Sequence, residues 1–295
     1  MREAAAGVAV RKGTVAALVR ELTGVLEAGD IAEAKREARD ILAAVHDAPR
    51  FWAALHEGEM MSAERADACR RAARRRSAGA PFAYAVGRSA FRNLTLQVDE
   101  RVLIPRQETE MLVDEILTRE RRGLAIDIGT GSGAIALALA SEGEFDRVIG
   151  TDVSSGAVSV ARGNAERLAP QLTARVEWRE GALLAPVAGE RARVIASNPP
   201  YIAFDEAIAL PESVRDWEPP IALYSASGGM AVSASIIRGA PDVLEPGGLL
   251  VLELDSRRAS LAAELALAGG RFRDVSVRLD LSGRERFLIA RRKDE

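Results

Sequence analysis

The chain has 295 residues, 48% of them hydrophobic and 28% charged, with a formal net charge of −3. That is the profile of a soluble globular protein with room for one large domain or a large and a small one, and not of a chain that coats nucleic acid. Cys69 is the sole cysteine and His46 and His56 are the sole histidines. An intrachain disulfide, a Cys-rich zinc site and a three-histidine metal centre are thereby excluded.

The first residues, Met1 to Gly13, carry no sustained apolar run followed by a cleavage site, and no apolar stretch reaches the length of a membrane span. The expected location is the cytoplasm. Residues 14–78 read as helices. Val15, Leu18, Leu22 and Leu26 recur at helical spacing, as do Ala34, Ala38, Ile41 and Leu42, with Gly29-Asp30 as stop and N-cap between them. A third helical stretch starts near Ala63 and runs through Arg70, Arg71, Arg74, Arg75 and Arg76. A solvated helix face is the simpler reading of that cluster, and a contact for an acidic partner or RNA is the other.

Gly79-Ala80-Pro81 punctuates the chain. Phe91, Leu94, Leu96 and Val98 partly alternate with polar residues, as do Val102 and Ile104. The pattern predicts a β-hairpin over about 90–104 with its turn at Asp99-Glu100. Pro105 ends it, and a helix is predicted from Glu108 to Thr118.

From residue 123 onward strands and helices alternate. The predicted strands are Leu124–Ile128, Arg147–Thr151, Val176–Glu180, Arg193–Ala196, Leu249–Leu254, Phe272–Leu279 and Arg286–Ala290. Helical patterns separate the first five, and Asp280–Glu285 makes the last two a hairpin. This order predicts an α/β fold with a mostly parallel seven-stranded sheet, covered on both faces, and an antiparallel edge strand.

Asp127-Ile128-Gly129-Thr130-Gly131-Ser132-Gly133 follows the first of those strands and opens an Ala/Ile/Leu-rich helix. Glycines there let the backbone turn tightly and approach a ligand closely. Asp152 ends the next strand, where a carboxylate can accept both hydroxyls of a ribose. A dinucleotide, S-adenosylmethionine or a plain tight turn would each fit the glycines. Asp127 favours the second, because a strand-end carboxylate repels a pyrophosphate and suits a cationic amino acid moiety.

Asn198-Pro199-Pro200-Tyr201 follows the apolar run Val194 to Ser197. As an isolated tetrapeptide it is a turn. The prolines remove two backbone donors and leave outward carbonyls, Asn198 adds a side-chain acceptor, and Tyr201 adds a flat wall. Such a loop can grip a planar group bearing NH2. In a doubly wound sheet it opens onto the same edge as the glycine loop.

Together the two motifs resemble the class I (Rossmann-like) methyltransferases that act on amino groups of planar systems. Val102-Leu103-Ile104-Pro105-Arg106-Gln107-Glu108-Thr109-Glu110 looks like the Leu-Ile-Pro-Arg-Pro-Glu-Thr-Glu stretch of the HemK/PrmC family, the peptide chain release factor glutamine methyltransferases. Val214–Pro219, Asp280–Arg286 and Pro81–Gly87 resemble its other segments. Gln107 stands where the family has proline. Ala182 stands where many relatives carry an acidic residue near the adenine.

The resemblance implies a helical substrate-docking domain at 1–85, a hairpin linker at 86–110 and a methyltransferase domain at 111–295. It implies S-adenosyl-L-methionine as methyl donor, bound by Asp127, Ile128, Gly129, Thr130, Gly131, Asp152 and Asn198, with no metal. The implied acceptor is the glutamine of the Gly-Gly-Gln loop of class 1 release factors, methylated on its amide nitrogen. Asn198, Pro199, Pro200 and Tyr201 would bind that amide. The Asn198 oxygen and Pro199 carbonyl would each accept one N–H, and Tyr201 would pack on its plane, with no dedicated base. A monomer without membrane attachment or stable nucleic-acid binding is expected. The rival readings are an N-methyltransferase for adenine or guanine, which needs broader positive charge, glutamine methylation of a ribosomal protein, and a binding module that only senses the donor.

Overall fold

Thr14 opens the first helix by accepting the Ala17 N–H on its hydroxyl at 3.3 Å, the usual role of a threonine at an N-cap. In the computed structural model, which describes residues 13–294, α1 (Val15–Glu27) is followed by α2 (Ala34–Val45), α3 (Trp52–Leu55), α4 (Ala63–Ser77) and α5 (Phe82–Val86). The first twelve residues, read from the sequence as carrying no secretory signal, fall outside the described residues. Leu22, Leu26, Ile41, Leu42 and Cys69 form a dry core among these helices. Among the clustered arginines, Arg70 and Arg76 are used internally. Arg70 grips Glu21 at 2.7 and 3.0 Å and Asp67 at 2.9 Å, and Arg76 grips Glu37 at 2.7 Å. Arg71 and Arg74 are exposed.

The chain divides into two units between Arg88 and Ser89. The hairpin is shorter than its sequence pattern suggested: β1 (Arg88–Phe91) pairs with β2 (Leu94–Gln97), and the reversal falls at Arg92-Asn93 rather than at Asp99-Glu100. Arg92 holds a left-handed φ of 53°. Its backbone N–H donates to Glu110 Oε1 at 2.8 Å and its guanidinium takes Glu142 in a bidentate grip at 2.8 and 2.7 Å. Those partners, distant in sequence, stabilise a turn that local propensity does not announce. Phe91, Leu94 and Leu96 join the core of the second unit, so the segment set apart as a linker is packed there.

After α6 (Gln107–Leu117) come β3 (Leu124–Ile128), α7 (Ala134–Glu142), β4 (Arg147–Asp152), α8 (Ser155–Leu168), β5 (Arg175–Glu180) and β6 (Ala192–Ser197). Two short helices, α9 (Glu212–Arg215) and α10 (Pro220–Leu223), precede α11 (Ala231–Val243), β7 (Leu244–Glu253), α12 (Ser256–Ala268), β8 (Phe272–Leu279) and β9 (Glu285–Arg292). The seven-stranded sheet runs β5-β4-β3-β6-β7-β9-β8. The first five are parallel, and β9 is antiparallel to both neighbours, with β8 outermost.

Alternate residues of the central strands feed two cores, as the two-residue period of a strand requires. Ala125, Val194, Ala196, Leu249 and Val251 face the α6–α7 side, while Ile126, Ile128, Ile195, Leu250 and Leu252 face the α11–α12 side. Near-continuous apolar strands are what a sheet buried on both faces needs. No described helix is long and apolar enough to cross a membrane.

Candidate active site

From β3 the chain winds outward through β4 to β5 and then returns to place β6 on the other side of β3. The carboxyl ends of β3 and β6 therefore flank the point where the winding reverses, the place where open α/β sheets form a ligand crevice. Ile128 and Ser197 are paired across that point, and Ser197 Oγ donates to the Ile128 carbonyl at 2.6 Å. A cavity of about 450 Å³ opens there.

The glycine loop forms one wall. Gly129 and Gly131 hold φ of 72° and 55°, and a Cβ on either would meet open space, so these positions present bare backbone to the cavity. Gly133 serves packing as well: a Cβ there would lie 2.9 Å from Trp178 and 3.1 Å from Leu137. All three glycines thus hold the left-handed backbone, and Gly133 adds a close helix–strand approach.

Asp127 lies beneath the loop and does not line the cavity. Its Oδ2 accepts the Thr130 hydroxyl at 2.6 Å and the Ala136 N–H at 3.2 Å, bracing the loop against the first turn of α7. Oδ1 is buried with no hydrogen-bond partner among the described residues. Burial dominates its titration and pushes the carboxyl up to about 7; the two hydrogen bonds pull down, and Asp152 adds a smaller upward push. Asp152 is half-buried on the cavity wall. Its two oxygens accept the N–H groups of Gly131 and Ser154, each at 2.9 Å, which fixes the carboxylate while leaving lone pairs for a ligand.

Asn198, Pro199 and Pro200 line the opposite wall, with Thr130 and Ile128 also on the surface. Asn198 Nδ2 donates to Thr109 Oγ1 at 3.1 Å. Its Oδ1 has no protein partner among the described residues, and neither has the Pro199 carbonyl. Tyr201 is placed away from the cavity, packed against the α11–α12 core. Burial, and then the charge of Glu253, pushes its phenol up to about 12. Beyond Tyr201, Ile202 bridges to Tyr224 and Arg258 holds Glu206 at 2.8 Å and the Gly228 carbonyl at 2.7 Å, so the far end of the loop is pinned.

Several contributors escaped the sequence reading. Thr109 is buried and lines the cavity, although it sits in a segment whose other residues drew attention. Glu218 is buried; its Oε2 accepts the Ile104 N–H at 3.1 Å and its Oε1 pairs with Arg106, clamping the 101–106 segment over the cavity. Ala182 lines the cavity, and Gln107 is exposed at the first position of α6. Glu108 is exposed and Glu110 is spent on the Arg92 turn; neither lines the cavity. Among the described residues no group of three or more His, Cys, Asp or Glu is arranged to hold a metal ion.

A parallel sheet reversing between β3 and β6, with a glycine loop and an acidic strand end on one wall and an Asn-Pro-Pro acceptor loop on the other, defines a Rossmann-like class I methyltransferase. The Methyltransferase small domain model matches residues 107–210, and the PrmC N-terminal domain model matches residues 17–87. A methyltransferase of Pyrococcus furiosus superposes with a TM-score of 0.52 at 21% identity, covering 69% of this chain and 91% of that one, a likeness of fold. The release factor glutamine methyltransferase of Moorella thermoacetica is 38% identical over 276 residues, 92% of this chain and 95% of the relative. That of Cereibacter sphaeroides is 39% identical over 266 residues, 90% of this chain and 94% of the relative. The chain belongs to the release factor glutamine methyltransferase family.

Proposed function

We propose that this protein transfers a methyl group from S-adenosyl-L-methionine to the side-chain amide nitrogen of the glutamine in the Gly-Gly-Gln loop of class 1 release factors. The observation that carries the reading is the pair of free acceptors, Asn198 Oδ1 and the Pro199 carbonyl, across one cavity from the glycine loop. Two acceptors side by side fit the two N–H bonds of a primary amide. The family's named activity supplies the identity of that amide.

The residues present suit the donor. The bare backbone of Gly129 and Gly131 forms the wall, and Asp127, buried beneath it with an unpartnered Oδ1, lends that wall a negative potential that favours a cationic amino acid group. The free lone pairs of Asp152 suit ribose hydroxyls. Ala182 brings no polar side chain, so the base would be held there by backbone and apolar contact.

When bound, S-adenosylmethionine supplies an electrophilic methyl group on a sulfonium. The chain's own work is positioning and electrostatics. A carboxamide nitrogen is a poor nucleophile because its lone pair is delocalised into the carbonyl. Asn198 Oδ1 and the Pro199 carbonyl orient the nitrogen and favour the positive charge it acquires, which is where preorganised dipoles accelerate a reaction most. The charged nitrogen is acidic enough to release its proton to water. Tyr201, away from the cavity, supports the loop from behind rather than packing on the amide. Residues 1–85 are assigned the docking of the release factor and 111–295 the transfer, with 86–110 joining them.

Incubation with labelled donor and, separately, a release factor, its Gln→Ala form in the Gly-Gly-Gln loop, a ribosomal protein fraction and DNA tests the reading. Label is expected on the first alone. Undiminished label on the Gln→Ala factor, or label on DNA, overturns it.

A further inference from the structure

Prolines fix φ and carry no N–H, so Pro199 and Pro200 have no backbone donors with which to tie themselves down. The segment is stiff, and its position is set at its two ends. Its entry is held by the sheet, where Ser197 pairs with Ile128 and its Oγ donates to the Ile128 carbonyl at 2.6 Å. Its exit is held by the chain at 223–225. The Ile202 N–H donates to the Leu223 carbonyl at 3.0 Å, and the Ser225 N–H donates to the Ile202 carbonyl at 2.9 Å.

Arg258, on the first turn of α12, braces that second anchor and is 4% exposed. Its Nε donates to the Gly228 carbonyl at 2.7 Å, its Nη2 donates to Glu206 Oε2 at 2.8 Å, and its Nη1 donates to Asp255. Glu206 Oε2 also accepts the Ala203 N–H at 3.1 Å. One carboxylate therefore ties the guanidinium to the chain just past Tyr201. Gly229 is wedged against both partners: a Cβ there would lie 2.1 Å from the Tyr201 carbonyl oxygen and 2.2 Å from Arg258 Nε. The other buried residues of α12, Ala259, Ala262 and Ala266, are small and apolar. A guanidinium buried beside them carries a desolvation penalty even when paired, so stability is a poor reason for its presence.

We infer that Arg258 is a positioning residue that latches the exit of the Asn-Pro-Pro-Tyr loop, holding the Pro199 carbonyl and Asn198 Oδ1 toward the cavity in one arrangement. The inference rests on the acceptor role proposed above for those two groups. Without the latch, Gly228-Gly229 and the Tyr201 carbonyl packed on it are free to shift, and the stiff segment pivots about Ser197. Its acceptors then leave the line of methyl transfer. The donor wall, built by the glycine loop after β3 and Asp152 at the end of β4, stays in place.

The test pairs kinetics with a readout independent of methyl transfer. Arg258→Met keeps the bulk of the stem and removes all of its guanidinium donors. It should lower kcat roughly 10- to 100-fold, the scale of an ångström-sized misplacement of a reacting group. The KM for a release factor and the donor affinity by calorimetry should each stay within about threefold. Glu206→Ala opens the same latch from the half-buried turn at 204–209 without touching the α12 core, and should lower kcat in the same sense with the same split. In donor-free protein, hydrogen exchange at the Ile202 and Ser225 amides should quicken roughly tenfold or more in both variants, while exchange within β6 is unchanged. Full kcat in Glu206→Ala, a loss of donor affinity as large as the loss in kcat, or unaltered exchange at Ile202 overturns the inference. If the wild type methylates no glutamine substrate, the proposed function fails, and exchange at Ile202 still decides whether Arg258 holds the loop.

Discussion

Asp127→Asn isolates the energetics of the glycine loop. Moving the Asp127 carboxyl from its ordinary 3.8 to about 7 makes the ionised form roughly 4 kcal/mol less favourable in the fold than in water, at 1.36 kcal/mol for each tenfold change in proton affinity. The folded state holds this proton more tightly than the unfolded chain does. Its stabilising contribution is therefore complete below 3.8 and is lost as pH climbs to about 7. In Asp127→Asn the amide oxygen still accepts from Thr130 and Ala136, and its NH2 is left buried and unpaired at a pH-independent cost of roughly 1–3 kcal/mol. Subtracting the two proteins cancels every other titrating group. Relative to the wild type, the variant should gain about 2.5 kcal/mol between about pH 5 and pH 8, a change in melting difference of roughly 5–10 °C for a unit of this size. Thermal melts of donor-free protein at the two pH values measure it. Saturating donor should remove the variant's advantage, because a cation near Oδ1 restores the ionised carboxylate in the wild type only. A melting difference that is the same at both pH values refutes the reasoning, since Asp127 would then titrate at its ordinary position.

Three further outcomes follow from the same geometry. Asn198→Ala should cost about 10²–10³ in turnover, the magnitude for one lost transition-state dipole, while donor affinity by calorimetry is unchanged. Asp152→Ala removes the acceptor for the Gly131 and Ser154 N–H groups, and donor dissociation should rise roughly 10- to 100-fold. Gly133→Ala forces a Cβ to 2.9 Å from Trp178 at a φ of 84°, so denaturant unfolding should report a loss of roughly 2–4 kcal/mol.

The strand positions, their parallel order and the two motifs at the carboxyl ends were legible because each is a local signal. Apolar runs of strand length, glycines after a strand and paired prolines need no partner to be recognised. The hairpin turn was misread for the opposite reason. Arg92 reverses the chain against the propensity of its own residue type, and Glu110 and Glu142, 18 and 50 positions away, make that possible. Asp99-Glu100 looked more turn-like, and local preference is what a sequence displays.

By itself the sequence determined an α/β sheet with a glycine loop and an Asn-Pro-Pro-Tyr loop on one edge, and, through its flanks, a family. Tertiary structure alone decided which side chains reach the cavity. It set Asp127 beneath the loop instead of on its surface and moved Tyr201 behind the wall. It also joined Asn198 to Thr109, 89 residues distant. The reason is physical. A strand end fixes a backbone position, whereas the direction of a carboxylate or an amide depends on hydrogen bonds to neighbours that the fold, and not the local sequence, brings together.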